Sequence, residues 1–496
     1  MEALAPRMVV SRWVFLRCLG VIYLIAFVSL WTQMGGLIGS HGILPVQPLL
    51  QAAREQLGPE RYGVLPTLCW FNASDVALHV LCGGGVVGSL LLLVGVTPAL
   101  SLFALWAIYL SLLTVGRDFL SFQWDTLLLE TGFLAIFFAP LQLGPRASRP
   151  SPPSLIILWL LRWLLFRLIF SSGVVKLASG DATWWSLTAL QYHYETQPLP
   201  FWMSWYAHQL PARFQQLSVA LMFAVELIIP GLIVGPRRCR LVACTALIAF
   251  QGLIMATGNY CFFNLLTIAL CLLLLDDAVW PQRLRAFVAR LEAVGRNPDH
   301  QGRGGMRWPR SLVVPLAALI VLLSTAPMVG LSRGRVPLPQ PVAAFYGWLA
   351  PFHLVNGYGL FAVMTTSRPE IILEGSHDRQ RWLAYEFPYK PGDVNRRPEL
   401  VAPHQPRLDW QMWFAALGTY RSTPWFLRFC ERLLEGSPQV LGLLSHNPFP
   451  ERPPRYLRAV VYDYHFTDPA TRRETGAWWR REWKGLYCPI LSLGED

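Results

Sequence analysis

The chain has 496 residues, of which 53% are hydrophobic and only 15% charged, with a mean hydropathy of +0.37. A soluble chain usually carries about 25% charge. The deficit here falls in residues 1–330, which excludes one large water-soluble core and points to a polytopic helical membrane bundle. The net charge of +12 comes from 39 arginines and the three lysines Lys176, Lys390 and Lys484, set against 30 acids. Much of it sits between apolar runs, as cytoplasmic positive loops do, so we read no nucleic-acid partner into it.

In chain order, apolar runs lie near 13–32, 76–96, 99–115, 126–142, 155–178, 216–235, 241–257, 260–276 and 311–330. At about 20 residues per span they predict roughly nine spans. Arg7, Arg12 and Arg17 flank the first, whose long apolar core and lack of a small-residue cleavage pattern before Trp31 read as a retained span. With the N-terminus cytoplasmic and sides alternating, the cytoplasmic loops receive Arg146 and Arg149, then Arg237, Arg238 and Arg240. The last such loop receives Arg283, Arg285, Arg290, Arg296, Arg303, Arg307 and Arg310. The opposite side receives 33–75, the aromatic loop 179–215 and the C-terminal part. Gly83, Gly84 and Gly85 fall inside a span and predict close helix packing.

Beyond 331, prolines, charges and aromatics rise. Residues 370–389 read as two strands around a polar turn at 376–379, and 458–466 with 478–487 as a second hairpin around 468–476. Segments 411–417 and 426–434 look helical. The expected organisation is therefore a transmembrane domain over 1–330 and a small extracytoplasmic α+β domain over 331–496.

Six charges fall within spans: Asp125, Glu130, Arg162, Arg167, Lys176 and Glu226. Charges at such depth cost several kcal/mol unless paired. Depth alone suggests Asp125–Lys176 and Glu130–Arg167 contacts, with Arg162 reaching the cytoplasmic interface and Glu226 lacking an obvious partner. Such charges either fix helix register or line a polar site. In the outer loop, Trp184, Trp185, His193, Glu195 and His208 belong either to an interfacial aromatic belt or to a binding surface on the membrane. Neither histidine has metal-ligand spacing. No GxSxG, P-loop or GxGxxG motif occurs, so neither catalytic residues, a metal nor a cofactor are assigned. Asn72-Ala73-Ser74 is a glycosylation sequon in a loop this topology places outside. Of nine cysteines, Cys430 and Cys488 fall in the C-terminal domain, where an oxidising compartment would let them pair.

Several whole phrases resemble the lipase maturation factor family. They are 119–140 (FLSFQWDTLLLETGFLAIFFAP), FRLIFSSGVVKL and WWSLTALQYHYETQPLP within 160–200, and 257–277 (TGNYCFFNLLTIALCLLLLDD). The C-terminal part adds NGYGLF, LEGSHDRQRW and 401–418 (VAPHQPRLDWQMWFAALG), the last closest to the second vertebrate member. The resemblance implies a multi-pass maturation factor, or chaperone, that helps secreted lipases fold, with its C-terminal domain meeting the client on the lumenal side. Trp410, Trp413, Trp478, Trp479 and Trp483 would suit such contact. The membrane of residence would be the endoplasmic reticulum in an animal. The compact chain and arginine bias suggest a bacterial relative, where it would be the inner membrane with the domain in the periplasm. The alternative is a membrane enzyme or small-molecule binder built on the intramembrane charges, since the family's membrane half is distantly similar to the vitamin K-dependent carboxylase. A redox role through Cys430 and Cys488 has little behind it, because no CxxC occurs.

Overall fold

The structure, a computed structural model, describes residues 8–142, 152–293, 308–333 and 339–494; Arg7, Arg146, Arg149, Arg296, Arg303 and Arg307 lie outside the described residues. Each apolar run is helical: α1 Val9–Trp31, α2 Asp75–Val94, α3 Pro98–Gly116, α4 Gln123–Phe138, α5 Leu155–Ala178, α6 Ala212–Leu227, α7 Arg237–Met255, α8 Phe263–Cys271 and α9 Arg310–Arg333. Six stretches, namely α1, α2, α5, α7, α3 continued to Leu120 and α6 continued to Val234, are long and apolar enough to cross a membrane. The apolar stretches Phe263–Leu274 and Arg310–Thr325 are shorter. Helix α4 has 16 residues, about 24 Å at 1.5 Å per residue, against a hydrocarbon thickness of about 30 Å.

Local chemistry sets these helices. Ser74 caps α2 by accepting the Ala77 N–H at 3.3 Å, and Ser154 caps α5 by accepting that of Ile157 at 3.5 Å. Small residues then set the spacing. A Cβ on Gly85 would lie 2.3 Å from the Phe27 ring, and one on Gly83 3.3 Å from Trp31, so the glycine run packs α2 closely onto α1 as expected. At one end of the bundle, the Asp277 carboxylate accepts the first free N–H groups of α1, from Val9 and Val10 at 2.9 Å and Ser11 at 3.3 Å. A carboxylate there satisfies both the orphan donors and the helix dipole. Arg237, opening α7, pairs with the adjacent Asp276 at 2.5 Å.

The C-terminal domain carries one antiparallel four-stranded sheet, ordered β2-β1-β3-β4, from β1 Pro369–Ser376, β2 Leu383–Ala384, β3 Tyr456–Phe466 and β4 Trp479–Leu491. Both expected hairpins form, although β2 is only two residues long. The turn between β3 and β4 holds a short helix, Pro469–Thr475, capped by Asp468. The register Leu373↔Ala459↔Cys488 aligns buried side chains toward α10 Arg407–Ala416 and α11 Pro424–Leu434, where Met412, Phe429, Cys430 and Leu433 are buried.

Bundle and domain share one apolar core. Phe122 stacks on Trp124 at 4.7 Å, Trp124 meets Trp410 edge-on at 4.7 Å, and Phe119 lies 5.6 Å from Trp425. The elements meeting the domain include the C-terminal ends of α1 and α3, the segment 36–42 after α1, the N-terminal end of α4, the loop 181–211 and the α7–α8 connection. Asp276, Asp277, Arg237 and the start of α1 gather elsewhere, on each other.

Candidate functional site: a buried polar seam

A carboxylate out of water needs a cation and hydrogen-bond donors, or its burial is strongly unfavourable. Asp125, in the first turn of α4 and fully buried, finds its cation outside the spans and a further donor on α3. Arg407, the first residue of α10, grips it with two hydrogen bonds of 2.9 and 3.0 Å, and the Tyr109 hydroxyl donates to it at 2.5 Å. Arg407 also donates to the Phe119 carbonyl at 2.7 Å. The Asp125–Lys176 contact expected from depth is therefore not formed. Lys176 reaches instead to Glu226 of α6, at 2.7 and 2.8 Å, because Gly173 one turn earlier lets α6 approach: a Cβ there would lie 2.7 Å from Leu227. Glu226 thus has a partner that lay on a neighbouring helix.

The Glu130–Arg167 pair forms as expected, and it too reaches across. The second Glu130 oxygen accepts the Asn356 N–H at 3.0 Å, its side-chain amide at 3.1 Å and the Tyr358 hydroxyl at 2.8 Å, while Arg167 donates to the Asn356 carbonyl at 3.1 Å. Arg162 does not snorkel. It is buried and donates twice to the Leu273 carbonyl, at 2.9 and 3.1 Å, satisfying an otherwise free acceptor where the helix of 263–274 ends.

The outer loop is mostly a socket for the C-terminal domain. Arg368, fully buried ahead of β1, donates to the carbonyls of Glu195, Gln197 and Pro198 and pairs with Glu370 at 2.8 Å; Lys390 completes the cluster 3.0 Å from Glu370. The Glu195 carboxylate accepts the Phe466 N–H of β3 at 3.0 Å, with His465 at 3.4 Å and His208 at 3.7 Å. Asn259, between α7 and α8, donates to Leu199 and Glu399 carbonyls and accepts the N–H groups of Val401 and Ala402. At the end of α1, Ser29 and Gln33 accept the N–H groups of Gln405 and Arg407.

Trp184 is buried and donates to the Phe361 carbonyl at 3.1 Å, whereas Trp185 is 65% exposed. His193 lies parallel to Tyr260, its Nε2 3.1 Å from the phenol oxygen, with Phe361 edge-on. Burial, and secondarily Lys176, lowers its pKa from 6.5 to about 4. Burial lowers His208 and His404 as well; His404 Nδ1 sits 2.9 Å from the Ser29 hydroxyl. Burial raises Asp409 to about 6, against the opposing pull of the Lys390 and Tyr389 N–H groups.

Chemically, this arrangement holds. Every intramembrane charge singled out in the sequence is matched by a buried partner, which does not favour an open polar reaction site. Among the described residues, no three His, Cys, Asp or Glu side chains converge as a metal site. A cavity of about 220 Å³, chiefly apolar, lies beside Arg167, Ser171, Val175, Ser324 and Tyr358. Four of the five tryptophans considered for client contact are buried: Trp410, Trp413, Trp478 and Trp479; Trp483 is 65% exposed. Asn72 is exposed. Cys430 and Cys488 are buried free thiols, and burial pushes Cys488 up to about 11, so neither is a ready nucleophile.

Arg368, Arg407, Tyr109, Asn259, Asn356 and Tyr358 carry much of the seam and were not singled out by charge or spacing. Arginines in a water-facing domain look ordinary. The usable signal was Glu226, an acid left without a partner that competes with Asp125 for Lys176.

The fold and seam define a multi-pass helical membrane protein whose C-terminal α+β domain is locked onto one end of its bundle. Comparison with known proteins makes this specific: residues 10–282 match the lipase maturation factor transmembrane domain and 354–489 the lipase maturation factor C-terminal domain. The chain is 39% identical to Lipase maturation factor 2 of Gallus gallus over 98% of this chain and 82% of that protein. It is 37% identical to Lipase maturation factor 2 of Homo sapiens (98% and 83%) and 36% identical to Lipase maturation factor 1 of Homo sapiens (98% and 88%). The chain belongs to the lipase maturation factor family. No solved structure matches it.

Proposed function

We propose that this chain is a membrane-embedded maturation factor that brings secreted lipases to their active fold. The observation that carries the reading is that both family domains are present and joined through a shared buried core, so that the bundle presents the C-terminal domain as a fixed platform.

On this reading the chain has nine spans with a cytoplasmic N-terminus, divided at about 330 from the C-terminal domain. The helix ends that meet the domain support the alternation: α1, α3, α5 and α7 would rise toward its side, and α4 and α8 would descend from it. The domain then faces the lumen of the endoplasmic reticulum in a eukaryote, or the periplasm in a bacterium. Asn72 lies on that side, open to glycosylation, and Cys430 and Cys488 lie in a compartment that permits their oxidation to a disulfide.

The test is expression with a secreted lipase in cells whose own maturation factor has been removed. The expected result is a rise in lipase activity per unit of secreted lipase protein, lost in Arg407→Ala. No rise from the wild-type chain at normal abundance would overturn the proposal.

A further inference from the structure

A sheet edge left unpaired is a template for another strand. The two edges of this sheet differ. At one, β2 has only two residues, and the following Glu386 already bridges to His446. At the other, β4 runs 13 residues, about 43 Å at 3.3 Å per residue, well beyond the usual strand of about five or six. Among the described residues, the backbone of 480–491 makes hydrogen bonds only to β3. Residues 480–484 are consecutively exposed.

The register of β4 also shapes a face. Trp483 pairs with Tyr462 and Leu486 with Val460, although Trp483 and Leu486 are three positions apart on β4 and Val460 and Tyr462 only two on β3. The irregularity at Lys484 and Gly485 therefore puts Trp483 and Leu486 on one face, since Val460 and Tyr462 share one. They are 65% and 57% exposed. Along the strand itself, β4 carries Arg480, Arg481 and Lys484 against Glu482, with Asp463 of β3 3.7 Å from Lys484. A second copy of this edge would set like charges opposite each other, which is unfavourable. An apolar strand bearing acidic residues would meet complementary charge.

We propose that β4 captures an extended segment of a partly folded polypeptide, apolar at alternate positions and acidic between them, as a fifth strand of the sheet. The proposal rests on the maturation-factor reading and supplies its client contact: backbone pairing gives reach across sequences, and the Trp483–Leu486 face with its arginine rim gives preference.

The test uses the full wild-type chain in phosphatidylcholine nanodiscs and a fluorescent peptide of alternating valine and glutamate, followed by anisotropy. Two further peptides carry N-methyl groups on alternate residues, one in each phase. Pairing with β4 needs the N–H groups of one phase only, so one methylated peptide should bind like the parent and the other at least about tenfold more weakly. Trp483→Lys with Leu486→Lys should weaken the parent as well; the methylated pair needs no variant to fold. No binding of the parent, or equal binding of all three peptides, overturns strand capture. If the wild-type chain still raises lipase activity in that case, only the edge proposal falls; if it does not, the maturation reading falls with it.

Discussion

Two buried ion pairs of similar chemistry do different jobs here. Lys176–Glu226 joins two helices of the bundle, whereas Asp125–Arg407 joins the bundle to the C-terminal domain. All four side chains are nearly or fully removed from solvent, so each pair is costly to break. The difference lies in what breaking each one releases. Losing the first frees one helix contact; losing the second frees a docking surface that also holds Glu130, Arg368 and Asn259. An acid in a span can therefore serve a domain outside it.

The largest expected effect separates the pairs. Arg407→Ala strands Asp125 and should cost roughly 3–5 kcal/mol, read as a lower unfolding temperature in detergent and faster proteolysis of the C-terminal domain. Lys176→Ala should cost as much overall yet leave that domain more protected, and Lys176→Met with Glu226→Leu should recover most of the loss, because no charge is left unpaired. Equal loss of domain protection in Arg407→Ala and Lys176→Ala would erase the comparison. A change confined to the bundle comes next. Gly85→Leu drives a side chain into Phe27 and should cost roughly 1–3 kcal/mol, with domain protection kept.

Acid probes the seam more gently. His193 titrates near 4 in the folded chain against 6.5 for a free histidine, so below pH 6.5 the unfolded state takes up a proton that the folded state refuses. Stability should fall as pH drops from 6.5 to about 4 and stop falling through this group below that. His208 and His404, also lowered, act in the same direction. His193→Gln should flatten part of the slope in thermal unfolding; an unchanged slope would remove His193 from the account. The smallest effect belongs to the exposed Arg428–Glu431 pair on α11, where Arg428→Ala should change stability by less than about 0.5 kcal/mol.

Much of this architecture was legible in the sequence. Apolar runs marked every bundle helix, a polar turn marked the β1–β2 hairpin, alternation marked β3, and Glu130 with Arg167 could be paired by depth alone. What stayed hidden depended on distant chain segments meeting. Arg407 lies 282 residues from Asp125, in a domain where an arginine carries no sign of burial. The loop 181–211 reads as an aromatic belt because tryptophan and tyrosine suit an interface, and nothing local shows that Arg368 will gather its carbonyls. Arg162 pointed toward water by habit of its type, while the nearest unsatisfied acceptor was Leu273.

Asp125 and Arg407 lock domain to bundle as one coupled pair. A double-mutant cycle with Asp125→Asn and Arg407→Met, read by unfolding of the full chain in detergent, tests that coupling most directly. The double variant should lose less than the two single losses summed, by at least about 2 kcal/mol; strictly additive losses would mean that the two side chains act independently.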